Sequence, residues 1–552
     1  MCRLSCAPTS LLWPSPTSVQ VSSSSATFSL QTLTTSVEAA TEEIKALVES
    51  TVQWQLSHLK AEGDEATSGL PFFLTVTVEE DSLEVKGAVE DYSLTISSGE
   101  RGEIVIEAST YFGARHALET LFQLVIWDST SETFHIATDV EIIDSPYFPH
   151  RGVMLDTARN FIPVSRILDL INSMSYSKLN VFHWHITDSQ SFPIQLPSIP
   201  AFTDYGAYSK DNIYKPADVQ QIMEHALARG VEVVPELDAP AHVGAGWQAV
   251  NESLTVCVNK EPWTDWCVEP PCGQLNPADE ALYGVLETIY GDWMGMMTPA
   301  SFHLGGDEVH VGCWNSSPSI LAWLEEQGRD RQEEDFMFLW DHFLQQSTAA
   351  LARAASAINL TTPSMTLWNN QLTHPEHIHF LDPKKYTIQL WPDSTDMGDL
   401  TIKTVAEAGF KMIFSNYDAT YLDCGFGAWV GNGNNWCSPY KQWQAQHQND
   451  PLAILERQGV TNLEEAKANV LGGEVAMWTE QADGASIMTK IEPRASAYGE
   501  RLWLGPATGG WVEAERRLVV HRERLARRGI QADSLTHGWC RQNEGKCILE
   551  QV

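Results

Sequence analysis

Basic residues are scarce in this chain of 552 residues. Lys and Arg number 35 against 72 Asp and Glu, which leaves a formal net charge of −37 at pH 7. Because a surface this negative repels phosphate backbones and anionic lipid head groups, the charge argues against a nucleic-acid partner.

Long apolar runs are also missing. No stretch is long enough to cross a bilayer, so we expect no membrane span. The first residues, MCRLSCAPTSLLWPSPT, lack the basic segment and the apolar run that a signal peptide needs.

The chain contains no Cys-x-x-Cys pair, which weakens zinc-binding and thioredoxin-like interpretations. Acceptor triplets for N-glycosylation occur at Asn251, Asn315 and Asn359. Disulfides and glycans are features of oxidising compartments. We therefore expect a disulfide-bonded, secreted or lysosomal glycoprotein whose signal peptide is not visible in this sequence. The ten cysteines are Cys2, Cys6, Cys257, Cys267, Cys272, Cys313, Cys424, Cys437, Cys540 and Cys547.

Tryptophan, by contrast, is abundant. The chain has 20 of these residues, which is more than a core alone usually needs. The indole ring offers a flat apolar face and one N–H donor, and it suits stacking on sugars or bases. The acidic charge favours sugars.

The chain is long enough for two or three domains. Residues 1–26 predict an irregular lead-in that a Cys2–Cys6 disulfide could close. Residues 27–145 predict a small α+β domain without obvious chemistry. We expect a larger domain over 146–515. After it we expect a C-terminal helix with a disulfide-bearing tail over 516–552. In the small domain we expect helices over 37–56 and 110–127, and strands over 71–78, 92–96, 103–108 and 134–143.

Apolar strands alternate with helical patterns throughout the larger domain. Buried strands separated by helices predict parallel pairing, and eight such units predict a closed (β/α)₈ TIM barrel of the α/β class. One of the helices has Pro216 near its start and Gly230 after its end, as helix termini favour. The eight predicted strands span 152–159, 180–188, 231–238, 301–308, 364–370, 386–391, 411–416 and 472–478.

The carboxyl ends of these strands are unusually polar or aromatic, and in such barrels this is the end that carries function. Two long loops, 239–276 and 417–445, follow strands at the same end and carry five of the ten cysteines. The strand-end residues are Asp156, Arg159, His185, Asp188, Asp238, His242, Asp307, Glu308, Trp368, Trp391, Trp478 and Glu480.

The stretch SFHLGGDEVHVGCW is the most informative one. Two glycines precede the adjacent acids Asp307 and Glu308 at the end of a buried strand. Ionising two neighbouring carboxyl groups is unfavourable in a partly desolvated site, so we expect the pKa of one of them to rise. That leaves a proton donor beside an anion, which is the arrangement for general-acid catalysis.

This motif occurs together with several others in a fixed order: RGVMLDTARNF, NVFHWHITDSQSFP, PELDAPAHVGAGW, HLGGDEVH and GGEVAMWTEQAD. With these motifs nearly the whole chain resembles the β-N-acetylhexosaminidases of glycoside hydrolase family 20. The loop YLDCGFGAWVGNGNNWCSPY resembles the arthropod chitin-degrading branch.

The resemblance implies an exo-acting hydrolase that removes terminal N-acetylhexosamine from oligosaccharides with retention, using the substrate's own acetamido oxygen as the nucleophile. By resemblance, Glu308 is the general acid and base, and Asp307 orients the acetamido group and stabilises the positive intermediate. No metal or other cofactor is implied. Homodimers are common in the family, so a homodimer is a further expectation.

The remaining site residues also follow from the resemblance. Three tryptophans are expected to enclose the acetamido group, and Tyr421 to bind its oxygen. Charged residues are expected to bind sugar hydroxyls, and a catalytic network to support Glu308. The tryptophans are Trp368, Trp391 and Trp478, and the hydroxyl-binding residues are Arg159, Asp423 and Glu480. The network residues are Asp188 and His242. Trp436 is expected to stack on the next sugar.

Three alternatives remain at this level. The substrate could be an N-glycan or glycolipid end, because these carry the same terminal sugar. The barrel could bind carbohydrate at a cell surface without catalysis. A metal-dependent hydrolase is the third, since His183 and His185 form an i, i+2 pair with His303 and Asp307 further on.

Overall fold

The computed structural model describes residues 11–22, 24–62, 69–543 and 546–547. The proposed Cys2–Cys6 pairing lies outside these residues. The strands are β1 (Ser18–Val21), β2 (Ser25–Phe28), β3 (Thr34–Ala39), β4 (Phe72–Val78), β5 (Tyr92–Ser97), β6 (Gly102–Ala108), β7 (Val125–Asp128), β8 (Thr133–Ala137), β9 (Val140–Asp144), β10 (His150–Asp156), β11 (Val181–Thr187), β12 (Glu232–Leu237), β13 (Thr255–Val256), β14 (Gln274–Leu275), β15 (Ser301–His303), β16 (Ser364–Trp368), β17 (Tyr386–Leu390), β18 (Lys411–Phe414) and β19 (Val470–Met477).

Helices alternate with the later strands and flank the first sheet. They are α1 (Glu42–Glu62), α2 (Tyr111–Gln123), α3 (Val164–Tyr176), α4 (Ala201–Gly206), α5 (Pro216–Ala228), α6 (Trp247–Val250), α7 (Ala281–Met297), α8 (Val311–Asn315), α9 (Pro318–Glu326), α10 (Glu333–Ala357), α11 (Thr401–Glu407), α12 (Tyr417–Thr420), α13 (Trp443–Gln448), α14 (Pro451–Arg457), α15 (Leu463–Ala468), α16 (Ile487–Ile491), α17 (Arg494–Leu504), α18 (Trp511–Arg527) and α19 (Gly538–Gln542). Within the described residues, no helix has both the length and the apolar character that a bilayer crossing needs.

The amino-terminal part of the chain forms a six-stranded sheet in the order β1-β9-β5-β6-β4-β3, together with a smaller sheet of β2, β8 and β7. Strand β4 alternates buried and more exposed residues, as expected for a sheet with one covered face. Helices α1 and α2 contact each other, and α2 packs on β5 and β6. The expected α+β character of this region is therefore present.

Several boundaries here differ from the sequence-based expectation. The lead-in is not irregular at 18–21, because this segment pairs with β9 at the sheet edge. Its Trp13 is fully buried and donates to the carbonyl of Ser496 at 3.0 Å. Residues 34–39 form a strand rather than the start of a helix, because they pair in parallel with β4. Helix α18 begins at Trp511, inside the range assigned to the larger domain.

The predicted barrel is confirmed. Strands β10, β11, β12, β15, β16, β17, β18 and β19 close into a parallel barrel, with β10 pairing both β11 and β19. Each of the eight strands begins within two residues of its predicted first residue. Strand β15 is much shorter than expected, because the backbone at Gly305 and Gly306 turns to φ values of +62° and +91°. The acid pair therefore lies beyond the strand rather than in it.

Buried ion pairs hold the amino-terminal sheet against the starts of the barrel strands. Lys178 pairs with Asp144 at 2.6 Å, and Arg151 pairs with Glu90 at 2.7 Å. The ring of Trp503 lies below both cations, 4.3 Å from the Lys178 ammonium and 5.0 Å from the Arg151 guanidinium. Because these contacts lie before β10 and β11 or at their first residues, the carboxyl ends of the strands stay open for function.

Disulfides constrain the loops at the open end, as expected from the even cysteine count. Cys257–Cys313 and Cys267–Cys272 involve the loop after β12, and Cys424–Cys437 closes the loop after β18. A fourth bond, Cys540–Cys547, lies in the carboxyl-terminal tail.

Candidate active site

A cavity of about 580 Å³ opens at the carboxyl ends of the barrel strands. Its walls come from strand ends and from the two disulfide-bonded loops. Acidic and aromatic side chains share these walls, which suits a ligand with polar edges and apolar faces. The predicted site residues that line it are Glu308, Trp391, Asp423, Trp436, Trp478 and Glu480.

The acid pair is placed by an unusual backbone. The amide of Gly306 donates to Asp238 Oδ1 at 2.9 Å, and Glu308 itself has a φ of +53°. As a result, the Glu308 side chain is 28% exposed at the cavity, whereas its neighbour Asp307 is only 8% exposed. Within the described residues, the buried Oδ1 of Asp307 accepts no hydrogen bond. An unsatisfied buried acceptor of this kind favours a ligand that brings its own donor.

The expected rise in one pKa of the pair falls on Asp307. Burial raises the pKa of this carboxyl to about 6, Glu308 and Glu236 add to the rise, and His242 opposes it. Burial together with Asp307 also holds the pKa of Asp238 well above its usual range.

A chain of alternating charges leads away from Glu308. His242 Nε2 lies 3.2 Å from Glu308 Oε2, and His242 Nδ1 lies 3.3 Å from Asp188 Oδ1. Burial disfavours the charge on His242, but the carboxylates of Asp188 and Asp238 outweigh burial and raise its pKa well above the usual range. The structure thus brings the two predicted network residues together with the predicted acid.

Arg159 sits at the edge of this network. Its Nη2 lies 2.9 Å from Asp188 and 2.6 Å from Glu269, and its guanidinium lies 4.9 Å from the centre of the Trp478 ring. Both interpretations of Arg159 are therefore compatible with the structure, since it forms salt bridges and also borders the predicted sugar site.

The predicted aromatic residues form one cluster. Trp368, Tyr421 and Trp478 share an apolar group, and Trp391 packs against it. Ring centroids lie 5.9 Å apart for Trp368 and Trp478, and 6.1 Å apart for Tyr421 and Trp478. Trp368 is fully buried behind this wall, and its Nε1 donates to Glu236 at 2.7 Å. Burial holds the pKa of Tyr421 well above its usual range, so its hydroxyl remains a donor.

The outer wall is formed by the loop that Cys424–Cys437 closes. Trp436 is 64% exposed there, with its ring 4.9 Å from that of Tyr417 and 6.5 Å from that of Trp391. On the inner side of the same loop, burial raises the pKa of Asp423 to about 7. Burial likewise holds the pKa of Glu480 well above its usual range.

Sequence reasoning missed two acids that contact the predicted site. Glu269 pairs with Arg159 and lines the cavity, but nothing in its loop sequence distinguishes it. Glu236 lies in the barrel interior at the centre of several hydrogen bonds. The stretch VEVVPEL contains two acids, Glu232 and Glu236, and an acid near the end of a buried barrel strand is a signal that could have identified Glu236.

The metal-dependent alternative loses its support from the histidine pair. His183 lies 2.7 Å from Glu474 and 2.9 Å from Glu236, and His185 lies 2.6 Å from Glu236 and 3.0 Å from Asp188. Burial opposes charge on both rings, but these carboxylates outweigh it and raise the pKa of His183 to about 9 and that of His185 well above its usual range. Both nitrogens of each ring therefore face a carboxylate, which is the arrangement of a buried ion pair.

An acid pair beside an aromatic-lined cavity at the open end of a barrel defines this protein as a glycoside hydrolase. Residues 148–506 match the family described as glycosyl hydrolase family 20, catalytic domain, and residues 12–124 match the one described as beta-acetyl hexosaminidase like. The chain belongs to glycosyl hydrolase family 20. The expected exo-acting β-N-acetylhexosaminidase of this family is thereby confirmed.

Curated relatives and solved structures agree with this. The chain is 41% identical to the chitooligosaccharidolytic beta-N-acetylglucosaminidase of Bombyx mori, covering 99% of this chain and 90% of that protein. It is 46% identical to the enzyme of the same name from Ostrinia furnacalis, covering 83% and 75%. The structure of the Vibrio harveyi GH20 exo beta-N-acetylglucosaminidase in complex with N-acetylglucosamine is similar, with a TM-score of 0.74, 25% identity, and 96% and 78% of the two chains covered.

The turn before the acid pair yields a testable prediction. We expect Gly305→Ala to lower turnover of a chromogenic N-acetylglucosaminide by about a hundredfold, because small misplacements of reacting groups cost that much. A Cβ at Gly305 would meet Asp238 Oδ1 at 1.9 Å, on a backbone with φ +62°.

The matched control is Gly459→Ala. Gly459 has a nearly equal φ of +64°, but an added Cβ there would meet no atom of the described part of the chain within 4 Å. This variant bears the same backbone strain and should keep its activity. Equal losses in the two variants would show that strain alone, and not the position of the acids, explains the effect.

Proposed function

We propose that this enzyme removes terminal non-reducing N-acetylglucosamine from chitooligosaccharides by substrate-assisted catalysis. The observation that carries the substrate class is the exposed Trp436 at the mouth of the acid-lined cavity, where a second, unbranched sugar would stack. The two insect relatives bear chitooligosaccharidolytic names, which supports the same class.

In the first step the acetamido oxygen attacks the anomeric carbon, and the bond from that carbon to the glycosidic oxygen breaks. The proton of Glu308 moves to the departing oxygen, so that the leaving sugar departs as a neutral alcohol. The sugar left in the site becomes a positively charged oxazolinium ion. Glu308, as the carboxylate beside cationic His242, is then ready to act as a base.

Asp307 supports that step as an anion. Its unsatisfied Oδ1 is the acceptor for the acetamido N–H, and its charge stabilises the oxazolinium. In the second step Glu308 takes a proton from water while the water oxygen attacks the anomeric carbon. The ring of the oxazolinium opens, the acetamido group is regenerated, and the sugar is released with retained configuration.

The aromatic cluster holds the acetamido group during both steps. Trp391 and Trp478 provide walls at the cavity, Trp368 supports Trp478 from behind, and the Tyr421 hydroxyl donates to the acetamido oxygen. Arg159, Asp423 and Glu480 bind the hydroxyls of the same sugar. Raised pKa values at Asp423 and Glu480 let these carboxyls donate as well as accept hydrogen bonds.

The alternatives separate at this point. A carbohydrate-binding protein without catalysis would not need Glu308, Asp307 and Tyr421, and the chain contains all three. An N-glycan end remains the second candidate substrate, since it presents the same terminal sugar. We also propose secretion or a lysosomal location, because the disulfides of this chain need an oxidising compartment.

The role of Glu308 is tested by Glu308→Gln. We expect turnover of chitobiose to fall by about 10² to 10⁴-fold, because a poor leaving group needs the proton that this residue supplies. Binding should persist, since an amide keeps the size of the acid. Steady-state kinetics and calorimetric binding of chitobiose measure the two effects, with Glu287→Gln on the exposed face of α7 as the control. A variant with unchanged turnover contradicts the assignment.

The pKa of Asp307 predicts the acidic side of the pH profile. Because burial raises that pKa to about 6, Asp307 loses its charge as the pH falls through this value. The charge of Asp307 then no longer stabilises the oxazolinium ion. Because kcat/KM reports the ionisation of the free enzyme, we expect kcat/KM to decline below about pH 6. A rate profile between pH 4 and 8 on a chromogenic substrate measures this, and a flat profile down to pH 4 is the contrary outcome.

The substrate class is tested by Trp436→Ala. We expect kcat/KM on chitobiose to fall about fivefold, since an aromatic stacking contact is worth about 1 kcal/mol. A methyl N-acetylglucosaminide has no second sugar and should be hydrolysed as before. Trp539→Ala is the control, because Trp539 is 55% exposed on α19 and does not line the cavity.

The wild-type enzyme should also prefer chitobiose to a branched N-glycan in the same assay. Faster cleavage of the N-glycan, together with no effect of Trp436→Ala on chitobiose, would favour the second candidate substrate.

A further inference from the structure

Glu236 is a fully buried acid of β12 that the mechanism above does not use. It lies inside the barrel below the active site, and each of its two carboxylate oxygens approaches a different part of the catalytic apparatus. Burying a carboxylate is costly unless its lone pairs are satisfied. The groups that satisfy Glu236 therefore indicate what this acid does.

One oxygen leads to the general acid. Glu236 Oε2 lies 2.6 Å from His185 Nδ1, and the other ring nitrogen of His185 lies 3.0 Å from Asp188 Oδ2. From Asp188 the contacts continue to His242 and then to Glu308, at 3.3 Å and 3.2 Å. Each imidazole lies between two carboxyl groups, so the position of each ring depends on the acids at both of its ends.

The other oxygen leads to the aromatic cluster. Glu236 Oε1 accepts the Trp368 indole N–H at 2.7 Å, the only polar hydrogen this side chain has. The Trp368 ring lies 5.9 Å from that of Trp478, which lines the cavity. The hydrogen bond helps to fix the rotation of the indole, which also packs against the rings of His183 and His303.

We propose that Glu236 is a positioning residue that holds the Glu308 network and the acetamido-binding tryptophans in register through its two carboxylate oxygens. This inference rests on the proposed function, because both groups it aligns have their roles there. It adds a residue that contacts no substrate and yet fixes the position of the proton donor relative to the group that attacks.

The titratable groups around Glu236 come from several strands. His183 and His185 face it from β11, His303 from β15 at 3.1 Å, and Glu474 reaches it through His183 from β19. Asp238 and Asp307 lie above it, and its negative charge contributes to the raised pKa of both. Besides burial, the groups with the largest effects on the pKa of Asp307 are His242, Glu308, Glu236 and His185, and Glu474 is not one of them.

The test is Glu236→Gln. Because an indole N–H can only donate, the amide oxygen must face Trp368, and the amide NH₂ must face His185 and exclude a proton from its Nδ1. His185 then becomes neutral, and the network behind Glu308 changes its charges. We expect kcat/KM to fall about tenfold more on chitobiose than on a nitrophenyl N-acetylglucosaminide, whose good leaving group needs little general-acid help.

The same variant should move the pH profile. Removing the Glu236 charge lowers the pKa of Asp307, and losing the cation of His185 offsets only part of this, since His185 has the smaller effect. The acidic limb of kcat/KM should therefore shift to lower pH.

Glu474→Gln is the matched control, because it also replaces a fully buried acid of the barrel interior that contacts His183. It should leave the leaving-group ratio and the acidic limb unchanged. Suppose instead that the two variants lose activity equally on both substrates, and that the acidic limb of kcat/KM does not shift in Glu236→Gln. Glu236 is then merely structural, and the proposal is wrong. A wild-type enzyme that cleaves neither substrate would instead contradict the proposed function.

Trp368→Phe tests the second oxygen and serves if Glu236→Gln does not fold. Phenylalanine keeps the ring but removes the donor to Glu236. We expect KM for the N-acetylated substrates to rise several-fold with the leaving-group ratio unchanged. Unaltered KM and kcat would show that this hydrogen bond positions nothing.

Discussion

Charge compensation inside the barrel is the constraint on which the site depends. Carboxylates and imidazoles alternate from Glu236 through His185 and Asp188 to His242 and Glu308. None of these groups could be buried singly without changing its protonation state, because desolvation of a lone charge costs several kcal/mol or more. Together the buried members of the series compensate one another, and the series ends at Glu308, where the substrate is cleaved.

The same compensation explains why adjacent acids behave differently. Asp307 is buried, and no donor among the described residues reaches its Oδ1, whereas Glu308 reaches the cavity and contacts the imidazole of His242. The difference is produced by backbone geometry, since the turn at Gly305 and Gly306 directs successive side chains to different depths. Two adjacent residues with the same functional group thus acquire different roles.

Sequence patterns predicted the barrel and its strand ends well, because buried parallel strands are continuous apolar runs and their ends carry the polar residues. They predicted the lead-in poorly. Ser18–Val21 is a strand only because β9 offers a free edge, and Trp13 is buried only because distant helices surround it. Glu236 and Glu269 were missed for the same reason, since their partners come from residues far apart in the chain.

The fold also separates support from chemistry. The amino-terminal sheet contacts the barrel where its strands begin, through buried pairs such as Arg151 with Glu90, and the disulfide-bonded loops lie where the strands end. The substrate therefore contacts loops that disulfides cross-link. The charged barrel interior behind the site is supported by the amino-terminal sheet at the starts of the strands. Because both sides are constrained, the acids and the tryptophans need little reorganisation when a sugar binds, which is the condition under which buried charges stabilise a transition state effectively.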